Sequence, residues 1–224
     1  MIAQAHLASL SGWCKTSRLR SEECAISVFP AFQRSAAARA GMERHADITE
    51  VLFSEQNIKT RVAEMGQQLA SDYQHKQPLV LGVLSGSFIF MADLVRCIQP
   101  PPSGLHVDFA RAQSYAGKAT WSSGEVHTIM GKLPIQNRHI ILVEDIVDSG
   151  QTTKNLIIGL KKAGVASCAL VALLNKTSRR VENVDVALQG FECPDKFVVG
   201  YGLDFDEEYR SLPFIGVLRP ECYS

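Results

Sequence analysis

The sequence predicts an α/β domain built on a mainly parallel central sheet flanked by helices, with a smaller region beside it. Three observations lead there. Short continuous apolar runs, as in Leu79–Leu84 and Cys168–Leu174, have the composition of strands buried on both faces. Segments with apolar residues at helical spacing separate them. The two kinds of segment alternate at the interval of strand–helix–strand units rather than of hairpins.

Taken in order, Ser54–Ala70 reads as a helix whose N-terminal Ser54 faces Asn57, where an ideal capping box has Glu or Gln. LVLGVL at Leu79–Leu84 is the first buried strand. FIFMADLVRCI at Phe88–Ile98 carries helical spacing and stops before Pro100, Pro101 and Pro102. Leu105–Ala110 and HIILV at His139–Val143 are the next strands. Thr152–Ala163 follows as a helix stopped by Gly164. CALVALL at Cys168–Leu174 is another buried strand, and Phe197–Tyr201 and Phe214–Leu218 are shorter ones.

The chain has 224 residues, 46% hydrophobic and 21% charged, so it can bury a core of its own. Its 23 basic and 23 acidic residues balance, but unevenly. Residues 1–41 are Ala-, Ser- and Arg-rich and net +3, whereas residues 42–224 are net −3. The first 41 residues are therefore set apart from the domain at 42–224. They suit an organellar transit peptide, a dispensable extension, or sequence upstream of a start at Met42. A net acidic domain argues against nucleic-acid and membrane-surface partners, and no run has the 18 apolar residues of a membrane span. The six cysteines form no CxxC pair and the six histidines no HxH or HxxxH pattern, which leaves zinc and redox motifs unsupported. Cys97 and Cys168 read as small core residues, and a reducing, cytoplasmic location is expected.

In open parallel sheets ligands bind beyond the carboxyl ends of the strands. The strongest chemistry lies after His139–Val143, where Glu144-Asp145-Ile146-Val147-Asp148-Ser149-Gly150-Gln151-Thr152-Thr153 leads into a helix. Two adjacent carboxylates at a strand end repel each other unless a cation or hydroxyl-rich ligand offsets them. Amides and hydroxyls from Ser149 to Thr153 at a helix N-terminus suit a dianionic phosphate, and Gly150 is expected to let the backbone approach it. The segment lacks the Gly-Lys-Ser/Thr of a Walker loop.

VEDIVDSGQTT resembles the phosphoribosyl-pyrophosphate signature of type I phosphoribosyltransferases. Lys176 in LLNKTSRR, FVVGYGLDFDEEYR and Ser114-Tyr115 in RAQSYAG make residues 42–223 similar to the hypoxanthine-guanine branch of that family. The resemblance implies a type I phosphoribosyltransferase fold with a small hood, acting in purine salvage. The implied reaction moves the 5-phosphoribosyl group to hypoxanthine or guanine, giving IMP or GMP. A transferase for xanthine or another purine is the alternative, and a non-catalytic nucleotide-binding regulator of the same fold a weaker one.

Residue roles are implied by the same resemblance. Glu144 and Asp145 would hold the ribose hydroxyls and Mg2+. Asp148, Ser149, Gly150, Gln151, Thr152 and Thr153 would hold the 5′-phosphate, and Asp148 would also take the N7 proton of the purine. Lys176 would donate to the purine O6, Phe197 would stack on the ring, and Val198 would meet its far edge. Asp204 would bind at the purine site and ligate a second Mg2+, while Asp206, Glu207 and Glu208 read as a solvated acidic loop. Ser85, Gly86 and Arg210 would meet pyrophosphate, with Arg210 also assigned to catalysis. Ser114 and Tyr115 would belong to a lid. One departure stands out: Ser85 occupies a position where many members have lysine. A homodimer or homotetramer is expected by the same likeness.

Overall fold

The computed structural model describes residues 46–111 and 134–223. Chain order is β1 (Ile48–Phe53), α1 (Glu55–Asp72), β2 (Pro78–Leu84), α2 (Phe88–Cys97), β3 (His106–Arg111) and β4 (His139–Val147). Then come α3 (Gln151–Lys162), β5 (Ser167–Asn175), β6 (Val186–Glu192), β7 (Val198–Val199) and β8 (Ile215–Leu218). The expected leader and the lid residues Ser114 and Tyr115 lie outside the described residues. Among the described residues, no helix is long and apolar enough to cross a membrane.

Five strands form a wholly parallel sheet in the order β3-β2-β4-β5-β6. Its central strands alternate their apolar side chains between two covered faces, as the two-residue strand period requires. Val80, Ile141, Val143, Val171 and Leu173 pack with Ile58, Met65, Phe90 and Leu94 of α1 and α2. Leu79, Leu81, Ile140, Leu142 and Leu170 pack instead with Leu156 and Leu160 of α3. The chain leaves β2 for β3 on one side and returns to β4 on the other, so β2 and β4 bound the topological switch point. A second, antiparallel sheet in the order β1-β8-β7 forms the small accessory region.

Most expected elements stand within a residue or two. The capping box at Ser54 is complete: its Oγ accepts from the Asn57 amide (3.2 Å), and Asn57 Oδ1 accepts from the Ser54 amide (3.1 Å). Asparagine thus does the work of the expected glutamate. Four features differ from expectation. The β4 strand does not stop at Val143 but runs on to Val147, because β5 is long enough to pair with it through Val147↔Asn175. The strand expected over 197–201 shrinks to Val198–Val199, since Gly200 (φ +102°) and Tyr201 (φ +51°) turn the chain away. Strand β1 escapes sequence reading because ITEVLF leaves most of its side chains exposed or half-buried. Strand β6 is a sheet edge with mixed burial and Gly190 in its middle.

Candidate active site

Because β4 continues past Val143, Glu144 and Asp145 are strand residues, and adjacent strand side chains point to opposite faces. Glu144 turns inward, 6% exposed, and accepts a hydrogen bond from Thr153 Oγ1 (3.3 Å) across the first turn of α3. Burial and the neighbouring Asp145 charge hold its carboxyl well above the usual range, against the lowering effect of Thr153. Asp145 turns toward the switch point. Burial pushes its pKa up to about 6, despite the N–H groups of Ile146 and of Asp145 itself and the nearby Arg210 guanidinium; Asp204 pushes the same way as burial. One carboxylate oxygen of Asp145 accepts from the Ile146 amide (2.9 Å), and the other lies against Gly86 of the β2–α2 turn.

The turn from Asp148 to Thr153 is held from outside. Arg180 donates to the carbonyls of Val147 (3.1 Å) and Asp148 (3.0 Å), and the amides of Val181 and Glu182 both donate to the Ser149 carbonyl. Gly150 adopts φ +81° as the N-cap of α3. A Cβ at Gly150 would stand 2.8 Å from the Glu182 carbonyl oxygen, so the glycine serves close packing against 180–184. The helix begins at Gln151, with Gln151 and Thr152 exposed and no acidic residue in the first turn. A 12-residue helix presenting such a terminus suits an anion. Thr153 is buried, its hydroxyl committed to Glu144.

Asp148 is the outlier of the turn: its Oδ1 is buried and has no hydrogen-bond partner. A buried carboxylate oxygen without a donor is costly, which marks it as an acceptor awaiting a ligand proton. Burial raises the pKa of the Cys193 thiol, with the Lys176 charge opposing that shift and the Asp148 and Asp195 charges adding to it.

Lys176 is 4% exposed, not the solvated loop lysine that its flanking sequence allows. Its ammonium donates to the Lys196 carbonyl (3.0 Å) and pairs with Asp195 (3.2 Å), using two of three donors. It lines a cleft of about 650 Å³ with Asp195, Phe197, Val217 and Tyr223. Phe197 is 37% exposed beside that cleft, and Val198 is buried in the β7–β8 ladder opposite Val217.

At the switch point, Ser85 is exposed, and Gly86 lies between Asp145 and Gly202: a Cβ on Gly86 would overlap the Asp145 carboxylate, and one on Gly202 the Gly86 carbonyl. Arg210 donates to the Gly202 carbonyl (2.8 Å) and pairs with Asp204 (2.9 Å) and Glu207 (2.9 Å). Asp204 also accepts from the Glu207 amide (3.0 Å), so both of its oxygens are engaged. Glu207 is consequently more than the solvated loop residue expected: it holds Arg210.

The site thus gathers Glu144, Asp145, Asp148, Ser85, Gly86, Asp204 and Arg210 at the strand ends, with Lys176 and Phe197 on the adjoining cleft. Three contributors escaped the sequence reading. Arg180 braces the phosphate-type turn, and its only signal was the Arg-Arg after Lys176. Asp195 orients Lys176 from 19 residues away. Tyr223 reaches the cleft from the chain's end. Among the described residues, no three His, Cys, Asp or Glu side chains converge as a metal cage. Asp145, the carboxylate that faces the switch point, is the kind of single-carboxylate ligand that suits Mg2+ when substrate oxygens and water complete its shell, with buried Glu144 behind it.

Comparison with known proteins gives consistent neighbours. The phosphoribosyl transferase domain family matches residues 49–206. The chain is 45% identical over 183 residues to a hypoxanthine-guanine phosphoribosyltransferase of Bacillus subtilis, spanning 81% of this chain and 99% of that protein. A crystal structure of a hypoxanthine phosphoribosyltransferase from Staphylococcus aureus superposes with a TM-score of 0.71 at 42% identity, over 80% of this chain and 96% of that one. A Trypanosoma cruzi hypoxanthine phosphoribosyltransferase complexed with the product IMP gives a TM-score of 0.71 at 32% identity, over 80% and 89% of the two chains.

Proposed function

The chain belongs to the phosphoribosyl transferase family, and on that premise we propose that it converts hypoxanthine and guanine to IMP and GMP with phosphoribosyl pyrophosphate. The observation that carries the base assignment is Lys176, a buried cation with one donor left over at a cleft bordered by Phe197. A 6-oxopurine offers O6 to that donor. Adenine presents an amino group there, which would leave a buried ammonium facing another donor, a mismatch of the strongly discriminating kind.

The chain's residues divide the chemistry between them. The first-turn amides of α3 and the exposed Thr152 hydroxyl, with Ser149, hold the 5′-phosphate on the positive end of the helix, while the Thr153 hydroxyl stays on Glu144. Asp145, with Glu144 behind it, meets the ribose hydroxyls, and Gly86 and the Ser85 amide lie beside the leaving pyrophosphate. N9 forms a bond to C1′ as the C1′–oxygen bond to pyrophosphate breaks, and Asp148 accepts the proton that the purine gives up at N7. Arg210, aimed by Asp204, Glu207 and the Gly202 carbonyl, supplies fixed positive charge near the departing pyrophosphate. Asp145, with Glu144 behind it, would hold Mg2+, which would supply charge neutralisation of the pyrophosphate. Burial raises the proton affinity of both carboxyls, with Asp145 adding to it at Glu144 and Asp204 at Asp145, and a cation would offset the same cost that a proton does. The same family likeness supports a homodimer or homotetramer.

The test is a panel: hypoxanthine, guanine, xanthine and adenine, each with phosphoribosyl pyrophosphate and Mg2+. Nucleotide should form from hypoxanthine and guanine and not from adenine. Turnover of xanthine alone would reassign the base subsite, and no nucleotide from any base would overturn the proposal.

A further inference from the structure

Three aromatic rings meet at the edge of the cleft, one of them from the chain's last described turn. Tyr223 stacks on Phe197 with centroids 4.8 Å apart and planes 24° from parallel. Phe205 meets Phe197 edge-on (5.6 Å, 86°) and also touches Tyr223 (6.4 Å, 63°). An offset stack and an edge contact are the preferred geometries of aromatic pairs, so the three rings fix one another's planes.

The chain takes care to bring Tyr223 there. Strand β8 pairs with β7 through Val198↔Val217, and Leu218 donates its amide to the Phe197 carbonyl (2.9 Å). Arg219 then ties the exit of β8 to the start of β1, its amide donating to the Asp47 carbonyl (2.8 Å) and its guanidinium to the Ala46 carbonyl (2.9 Å). The turn Pro220–Cys222 follows, and the Tyr223 amide closes it on the Pro220 carbonyl (3.1 Å). A short, twice-anchored strap ends on one ring face.

We propose that Tyr223 is a positioning residue of the purine subsite: it backs one face of Phe197 so that the opposite face is held ready for the base. Phe197 has one face under Tyr223 and an edge under Phe205, yet it stays 37% exposed. That remaining surface is the platform available to a purine. Tyr223 is itself 40% exposed, which sets its contribution in the site rather than in the core. It also lies beyond residues 49–206, the segment that the phosphoribosyl transferase domain family matches. The inference rests on the reading of the Lys176–Phe197 cleft as the base subsite.

The experiment is steady-state kinetics of wild type, Tyr223→Ala and Tyr223→Phe, varying hypoxanthine and phosphoribosyl pyrophosphate in turn. Tyr223→Ala should raise the KM for hypoxanthine about three- to tenfold, the scale of one lost aromatic pair. Its kcat and its KM for phosphoribosyl pyrophosphate should change by less than about twofold, and Tyr223→Phe should restore the hypoxanthine KM. A hypoxanthine KM that is unchanged or lower in Tyr223→Ala overturns the inference, the second result meaning that Tyr223 covers the base's own place. Equal losses in both KM values and kcat, or no rescue by phenylalanine, overturn it as well. Inactive wild-type protein would instead sink the assignment of the site.

Discussion

Gly86 and Asp145 are in direct apposition: the turn after β2 presses a hydrogen atom, where any other residue has a side chain, against the carboxylate at the end of β4. The two strands are neighbours in the sheet, so their carboxyl ends can approach this closely only if one of them carries no Cβ. Gly86→Ala should displace Asp145 from the switch point. We expect kcat/KM to fall about 10²-fold, the scale for a misplacement of an ångström, with the fold retained. A variant of near wild-type activity would show that the apposition has no functional weight.

Asp148 gives a sharper test of chemistry. Its buried, unpartnered Oδ1 leaves the side chain little to do structurally, while its carbonyl is braced by Arg180. Asp148→Asn keeps the shape and removes the proton acceptor. Turnover should drop by about 10²-fold or more while the Kd for phosphoribosyl pyrophosphate changes little. Unchanged turnover would remove the assigned role.

The raised pKa of Asp145 has a stability consequence whose sign can be worked out. The folded protein holds that proton up to about pH 6, whereas an unfolded chain releases it near pH 4. Between those values the folded state binds more protons than the unfolded one, so ligand-free stability falls as pH rises and levels out above pH 6. Asp145→Asn keeps an acceptor for the Ile146 amide and removes the charge. It should raise the Tm at pH 7.5 by a few degrees, on the order expected for a domain this size, with a smaller gap at pH 4.5. Melting curves at the two pH values decide it, and a variant less stable at pH 7.5 contradicts the account.

Lys176→Gln leaves a neutral donor in place of a buried cation. The loss of a charge-assisted bond to O6 should lower kcat/KM for hypoxanthine and guanine by roughly 10- to 100-fold. Discrimination against adenine should narrow at the same time, since glutamine can also accept. Parallel assays of the three bases read both effects, and unaltered discrimination would count against Lys176 as the selector.

Ser85 offers a gain-of-charge test. Its side chain is exposed at the mouth of the β2–α2 turn, beside Gly86. Ser85→Lys adds a cation where pyrophosphate departs, and product inhibition by pyrophosphate should tighten. An inhibition constant that does not respond would place the leaving group elsewhere.

How much of this was legible in the sequence follows from which interactions are local. The capping box at Ser54, the helix stop at Gly164 and the switch from period 2 to period 3.6 are written within a few residues, and those elements fell where expected. Strands β1 and β6 were not legible, because their partners are supplied from far along the chain and their own faces are half exposed. The end of β4 was misplaced for the same reason: pairing with β5 overrides the polarity of Glu144-Asp145. At the site, the motif from Glu144 to Thr153 announced itself by composition. The burial of Lys176, its partner Asp195 and the Tyr223–Phe197 stack depend on tertiary packing, so only the folded chain displays them.

The central claim is that one strand-end site transfers a phosphoribosyl group to a 6-oxopurine rather than merely binding or hydrolysing the donor. The most direct measurement follows nucleotide and pyrophosphate together in a single reaction of wild-type protein with guanine, phosphoribosyl pyrophosphate and Mg2+. The account predicts GMP and pyrophosphate in equal amounts, with no pyrophosphate released when the base is omitted. Pyrophosphate appearing without nucleotide, or neither product appearing, would contradict it.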